Sequence, residues 1–381
     1  MFLATRGAAR LCFARGHREK GCGCLARGVS WSIIDANSDL RSFGGGVAAM
    51  DFSKLAALAG GHAEARAIQV ALKLGLFEAL ANGERDAAGL AQALECDRRA
   101  TSLLANALVA LGLIAKRAEH YSLTDSARRF LVESSSEYLG GMILFDAGLW
   151  STWEKLETSL KTGSPARAPD MFQSTPEETE RFIRAMDSLV RARGDARWAA
   201  EHLDLGFART VVDLGGGPGT YLVEFLRRWP DMHGAIYDLP ATLQVARRIL
   251  NDRAPWAVAR IDLRAVDYNA EELPGPVDAI FMSNIIHSED EAANRGLMRK
   301  CFRALAPHGM LVIKDHIMSA GLTEPAAGAV FSLYLLLTTR GRDYSFEEVS
   351  GWLREAGFSD IRLEPLPSPP FTSSMVLARK F

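Results

Sequence analysis

The stretch VVDLGGGPGTYL, residues 211–222, packs four glycines and a proline into five positions behind two valines and an acid. A strand, a glycine loop and a helix in that order make a ligand cradle. Glycine lets the backbone turn tightly and approach a ligand closely. The helix N-terminus behind it offers free N–H groups. A dinucleotide pattern would need its third glycine at position 220, which is Thr220; the glycines alternate instead as Gly215, Gly217 and Gly219. Asp213, two residues ahead of the first glycine, suits a ligand with an ammonium group and would repel a pyrophosphate. S-adenosylmethionine carries such an amino group, together with a carboxylate and a sulfonium. Two more acids end the next strand-like runs. Asp238, 23 residues past Gly215, stands where an acid accepts hydrogen bonds from ribose hydroxyls. Asp267 is placed to accept from an adenine amino group, with Tyr268 beside the ring, or simply to cap a turn.

Of eight histidines, only His287 follows a buried-type strand, DAIFMSNII, and precedes a helix. That puts it at a strand's carboxyl end, near the cradle. A histidine, with a pKa near about 6.5, can take the proton of a phenol, whose own pKa is near about 10. It can equally be a hydrogen-bonded loop residue. The SEDE after it reads as a capping box, Ser288 at the N-cap and Glu291 at N3, which would fix where His287 points. His316 beside Asp315 invites a metal reading. Neighbours on a strand face opposite ways, so the two are not expected to chelate together, and no metal is expected.

These residues need a sheet to hold them. From Arg209 the runs TVVDL, GAIYDL, RIDLRAV, DAIFMSNI and MLVIKDHI alternate with helical patterns. Such alternation means a mostly parallel sheet covered on both faces, an α/β fold. The end of the chain, IRLEPLPSPPFTSSMVLARKF, reads as an antiparallel pair at the sheet's edge. Residues 50–195 read as helical. HAEARAIQVALKLGLFEAL puts Ala65, Ile68, Ala71, Leu72 and Leu76 on one stripe. RRATSLLANALVALGLI ends at Gly112 as a C-cap glycine should. Helices followed by the ribbon LIAKRAEHYSLT form a winged-helix pattern. Its would-be recognition helix has only Arg98 and Arg99 as basic residues, so packing or dimerisation is expected rather than DNA reading. An apolar and aromatic acceptor pocket is expected from Phe145, Trp150, Trp153, Phe182 and Met186, with Phe331 and Tyr334.

Composition sets the outer limits. The chain has 381 residues, 48% hydrophobic and 24% charged, with a net charge of −2, which gives no basic surface for nucleic acid. The longest apolar run, near AVFSLYLLL, is too short to cross a bilayer. Cys12, Cys22, Cys24, Cys96 and Cys301 have no zinc spacing, and a reducing cytoplasm without disulfides is expected. Residues 1–49 are basic and aperiodic and read as a tail or upstream extension; 50–195 as dimerisation and substrate-lid helices; 196–381 as the cofactor-binding domain.

The motifs LKLGLFEAL, RRATSLLANALVALGLI, YSLTDSARRFL, VVDLGGGPGTY, YDLP, NIIHSEDE and REAGF make the chain from about Asp51 resemble a known family. It is that of the S-adenosylmethionine-dependent O-methyltransferases of the plant caffeate and bacterial polyketide type. The resemblance implies a Rossmann-like, seven-stranded methyltransferase sheet behind a winged-helix domain that forms a homodimer. It implies a general base at His287. There the family has His-Asp-Trp-x-Asp, whereas this chain has His287-Ser288-Glu289-Asp290-Glu291. It further implies two orienting acids, Asp315 and Asp343, each Asp where the plant enzymes have Glu. Ser283 occupies the position of a cofactor-binding Lys. The acceptor is expected to be a small aromatic or polycyclic molecule methylated on a hydroxyl. Carbon or nitrogen methylation on the same scaffold, and a non-catalytic regulator that senses S-adenosylmethionine, are the alternatives.

Overall fold

The computed structural model describes residues 50–367 and 372–381. The expected tail, with Cys12, Cys22 and Cys24, lies outside the described residues. Cys96 and Cys301 are free thiols.

Helices Phe52–Lys73, Leu76–Ala81, Ala87–Ala93, Arg98–Ala110 and Asp125–Leu131 build the N-terminal part, with strands β1 (Arg85–Asp86), β2 (Ile114–Arg117) and β3 (His120–Leu123) paired in the order β1-β3-β2. Asp51, Asp86, Asp97 and Thr124 cap four of these helices by accepting a first-turn N–H. The apolar stripe expected to run on to Leu76 is broken. The first helix ends at Lys73, Gly75 turns the chain at φ +75°, and Leu76 starts a second helix. Ala71, Leu76, Phe77, Leu80, Leu90, Ala105, Leu108 and Tyr121 still meet in one core. Phe52, Leu55, Leu58 and Leu103 stay exposed.

The remaining strands are β4 (Thr210–Leu214), β5 (His233–Asp238), β6 (Ile261–Ala265), β7 (Val277–Ser283), β8 (Leu305–Asp315), β9 (Ile317–Met318), β10 (Tyr344–Ser345), β11 (Ser359–Pro365) and β12 (Ser374–Arg379). Seven of them form one sheet in the order β11-β12-β8-β7-β4-β5-β6. Strands β4 to β8 run parallel; β12 pairs antiparallel with both β8 and β11. The expected seven-stranded α/β sheet with an antiparallel edge is present. Side chains alternate between two cores. Val211, Phe281, Val312 and Leu377 face helices Asp195–His202 and Thr220–Arg228, while Val212, Ile280, Leu311 and Val376 face helices Glu291–Ala304 and Phe346–Ala356. Both sides of the central strands are apolar because both faces are covered there, while the edge strands β6 and β11 are largely exposed.

Helix Pro176–Arg193 begins with Pro at its first turn and Thr175 as its cap. It packs on helices Gly140–Ala147 and Pro240–Arg253 and reaches the glycine loop after β4 through Ile183, while helix Ala326–Thr338 packs on Trp150–Trp153 and β9. Phe281, 1% exposed, stands on β7 against Tyr221 and Phe225 and locks the central strands to helix Thr220–Arg228. Phe281→Ala should cost about 3–5 kcal/mol of stability, read from the midpoint of urea unfolding.

Candidate active site

The glycine loop leaves β4 and enters helix Thr220–Arg228. Gly215, Gly217 and Gly219 have φ of +64°, +52° and +76°, which a side chain would strain. Gly216 lies directly over Asp213: a Cβ there would come within 2.6 Å of the carboxyl carbon. Asp213 is 1% exposed, and its Oδ2 has no hydrogen-bond partner among the described residues. A cradle with no room for side chains over a buried acceptor oxygen fits a ligand bearing an amino group. Asp238, at the end of β5, accepts from Gly217 N–H at 2.9 Å through one oxygen and from Leu239 N–H at 2.7 Å through the other. Each oxygen keeps a lone pair for a ligand hydroxyl. Burial pushes its carboxyl up to about 6.

Asp267 lies past the end of β6, and its Oδ1 caps a turn by accepting from Asn269 N–H at 2.9 Å. Tyr268 packs beside Gly215 and donates its hydroxyl to Glu289 at 3.1 Å. Ser283, the last residue of β7, lies beside the Tyr221 hydroxyl.

His287 occupies a turn of 3-10 helix, Ile286–Ser288, beyond β7. The expected capping box is not there. Helix Glu291–Ala304 is capped by Asp290, which accepts from Ala293 N–H at 2.9 Å, and the Ser288 hydroxyl is buried without a hydrogen bond. The reason is the intervening turn, which Asn294 pins from below by donating to the Ile286 carbonyl at 2.8 Å and the Glu289 carbonyl at 3.2 Å. Tyr344 donates to the same Glu289 carbonyl at 2.6 Å. What orients His287 is Asp315 at the end of β8. Its Oδ1 lies 2.6 Å from His287 Nδ1, and the two residues are 1% and 7% exposed. Burial alone would lower the imidazole's pKa; the Asp315 carboxylate outweighs it and holds the ring above its ordinary value. Asp343 closes the group: ligand-type atoms of His287, Asp315 and Asp343 lie within 4.8 Å of one another.

His316 stands beside this group without being one of its three members. Strand β8 ends at Asp315, so alternation lapses there, and the ring of His316 meets Phe331 edge-on at 5.0 Å, as His287 does at 5.3 Å. Its other neighbours are Asp343 and Thr372. Beneath the site runs an ion-pair chain that the sequence did not announce. Lys314, fully buried, reaches Asp195 at 3.0 Å, and Asp195 pairs with Arg193 at 2.6 Å.

The aromatic residues fall into two groups. Phe145 and Phe182 pack with Phe172, which sequence reasoning left out; Phe172 stacks on Phe182 at 4.8 Å. Phe331, Tyr334 and Trp153 continue from the histidines. Met186 is half-buried on helix Pro176–Arg193, one turn beyond Phe182. Trp150 turns away from both groups and donates its indole N–H to Gln69 of the first helix at 2.7 Å.

Burial and the nearby Asp238 push the Asp213 carboxyl up to about 8. At neutral pH it holds a proton that a ligand's ammonium group must displace. Affinity for S-adenosylmethionine should therefore climb from about pH 6 and level off once Asp213 is ionised without help. Calorimetry across that range checks this, and a flat profile would remove Asp213 from the ammonium site.

Comparison with known proteins agrees with this geometry. A family model for the O-methyltransferase domain matches residues 163–359, and one for the O-methyltransferase dimerisation domain matches residues 56–133. The chain is 33% identical over 315 residues to a 3-hydroxy-5-methyl-1-naphthoate 3-O-methyltransferase of Streptomyces sahachiroi, covering 82% of this chain and 91% of the relative. It is 28% identical over 307 residues to the N,N-dimethyltransferase OxyT of Streptomyces rimosus, covering 77% and 87%. The fold matches that of human N-acetylserotonin methyltransferase, solved in complex with SAM, with a TM-score of 0.78 at 21% identity over 88% of this chain and 99% of that one. With both domains matched in order, and a relative one third identical over most of its length, this chain belongs to the O-methyltransferase family.

Proposed function

We propose that this chain transfers the methyl group of S-adenosylmethionine to a hydroxyl of a small aromatic or polycyclic metabolite, with His287 as the general base. The observation that carries the reading is the buried 2.6 Å contact between His287 and Asp315, at the same sheet edge as the glycine cradle. When bound, S-adenosylmethionine supplies a methyl group made electrophilic by the sulfonium.

The chain's own residues do the rest. Asp213 receives the amino group, Asp238 the ribose hydroxyls, and Asp267, Tyr268 and Ser283 border the remainder of the cofactor. Phe145, Trp153, Phe182, Met186, Phe331 and Tyr334 form apolar walls that exclude water and align a flat acceptor; Trp150 braces them from behind. Asp315 keeps the Nδ1 proton of His287, which leaves Nε2 as the nitrogen with the lone pair. His287 takes the hydroxyl proton as the oxygen–methyl bond forms, and the carboxylates of Asp315 and Asp343 stabilise the imidazolium. No step calls for a metal. Homodimer formation through the dimerisation domain is supported by the exposed Phe52, Leu55, Leu58 and Leu103. No helix among the described residues is long and apolar enough to cross a membrane, and we place the enzyme in the cytoplasm.

A second reading has one observation in its favour, the similarity to an N,N-dimethyltransferase. On an amine acceptor His287 would matter less, because the nucleophile already has its lone pair. Labelled S-adenosylmethionine offered with parallel panels of phenols and aromatic amines separates the two.

With a phenol acceptor, His287→Ala should lower turnover about 10²–10⁴-fold while cofactor affinity stays within a few-fold. The loss should shrink as pH rises toward the acceptor's own pKa, where phenolate forms unaided. In the parent enzyme turnover should climb with pH through the raised value of His287, because only the neutral imidazole accepts a proton. Asp238→Ala should weaken S-adenosylmethionine by about 1.5–3 kcal/mol in calorimetry, and EDTA should leave turnover unchanged.

A further inference from the structure

The cluster around His287 contains one group with no part in the mechanism above. His316 follows Asp315 in the chain and is 7% exposed. Its Nε2 is held by the Thr372 hydroxyl at 3.0 Å, and its Nδ1 faces Asp343 Oδ2 at 3.5 Å. Its backbone N–H donates at 2.9 Å to Asp315 Oδ1, the same oxygen that meets His287 Nδ1. Asp343 is 2% exposed, and neither of its oxygens has a formed hydrogen bond among the described residues. A carboxylate so placed needs a nearby positive or N–H-bearing partner to stay ionised. Two are within reach, His287 and His316. The fold crowds the second against it. Gly328, on helix Ala326–Thr338, lies against both: a Cβ there would clash with Met318 Sδ at 2.5 Å and lie 3.2 Å from Asp343 Oδ2 and 3.4 Å from His316 Cβ. Phe331 of the same helix sits edge-on to both imidazoles.

We propose that His316 is a positioning residue for methyl transfer: it shares Asp343 with His287, and so sets how strongly that carboxylate supports the base. This rests on His287 acting as the base. The argument is one of charge. Asp315 is committed to His287. Asp343 supports the imidazolium of His287 only while it is ionised, and burial works against that. A proton on His316 Nδ1, 3.5 Å from Asp343 Oδ2, works for it. Without that donor Asp343 holds its own proton more strongly, and His287 gets weaker support from one of its two negative neighbours. The other charges around the cluster stay fixed: Lys314 on β8, paired to Asp195; Arg193, near Thr372 at 3.3 Å; and Arg342, paired to Glu348.

Two substitutions divide the ring's functions. His316→Asn keeps an N–H near the Nδ1 position, toward Asp343. His316→Gln keeps one near the Nε2 position, toward Thr372, and loses the donor to Asp343. Both are compared by NMR titration of the full chain with labelled histidine, the His287 signal being assigned by its loss in His287→Ala. His316→Gln should weaken the proton affinity of His287 about tenfold, the effect of losing one neighbouring charge. His316→Asn should stay close to the parent. Asp343→Asn should give the same weakening as His316→Gln, and the double variant should weaken it no further, because the two act through one carboxylate. In the methylation assay the acid limb of the pH profile should move down by the same factor in His316→Gln, with KM for S-adenosylmethionine unmoved. An unmoved or raised His287 titration in His316→Gln, equal damage from Asn and Gln, or additive effects with Asp343→Asn would each overturn the proposal. The titration needs no acceptor. A parent chain that methylates no phenol would therefore count against the proposed function, and the NMR result would still decide the role of His316.

Discussion

Carboxyl groups buried at one edge of a parallel sheet are the constraint on which this structure turns. Asp213 is the last residue but one of β4, the half-buried Asp238 ends β5 and Asp315 ends β8, and Asp343 reaches the same edge from a loop. A buried carboxylate is costly unless something answers its charge. Two are answered within the chain, and Asp213 is left for a ligand to answer. Asp315 has an imidazole, Asp238 has two backbone N–H groups, and Asp213 has a neighbour of the same sign and an oxygen left open. The sheet thus holds a graded set of acids. On the proposed assignment, the gradation separates the part that binds from the part that reacts.

The scaffolding serves that edge. Valines alternating across both faces of β4 bury the strand from two sides, and its end cannot drift. The His287 turn is tied down by Asn294 and Tyr344, and Gly341 packs under it so closely that a Cβ would lie 2.3 Å from the His287 carbonyl. Lys314 and Asp195 form a buried pair one residue back from the dyad, and Arg193 joins them. Removing one member of such a group is far more damaging than its net contribution suggests, because the remaining charge has no water to turn to.

Much of this was legible in the residues. Short apolar runs between helical patterns located the strands, the glycine spacing located the cradle, and the acids at strand ends followed from the rule that ligands meet a parallel sheet at its carboxyl edge. The resemblance to a family supplied the pairing of His287 with Asp315 and Asp343, which spacing alone does not give. Where the reading failed, the cause was a boundary. Ser288 and Asp290 both have capping side chains, and only long-range bonds from Asn294 and Tyr344 choose between them. The place of His316 does not follow from alternation, which holds only as far as the strand, and nothing local says that β8 stops at Asp315. Phe172 carries a backbone φ of +61°, which no propensity favours, and it was seen only through its stack on Phe182.

The hydrogen bond from Trp150 to Gln69 has a bearing on how such an enzyme diversifies. The proposed site for the methyl donor is written in the strand ends and the turns that follow them, where substitutions meet backbone or a buried charge. The aromatic walls are written in helices that lean on the N-terminal part through contacts like this one. Their faces are half-exposed and their neighbours are other side chains. Selection can reshape the second region without disturbing the first, so a lineage built on this plan can try new acceptors while its chemistry stays constant.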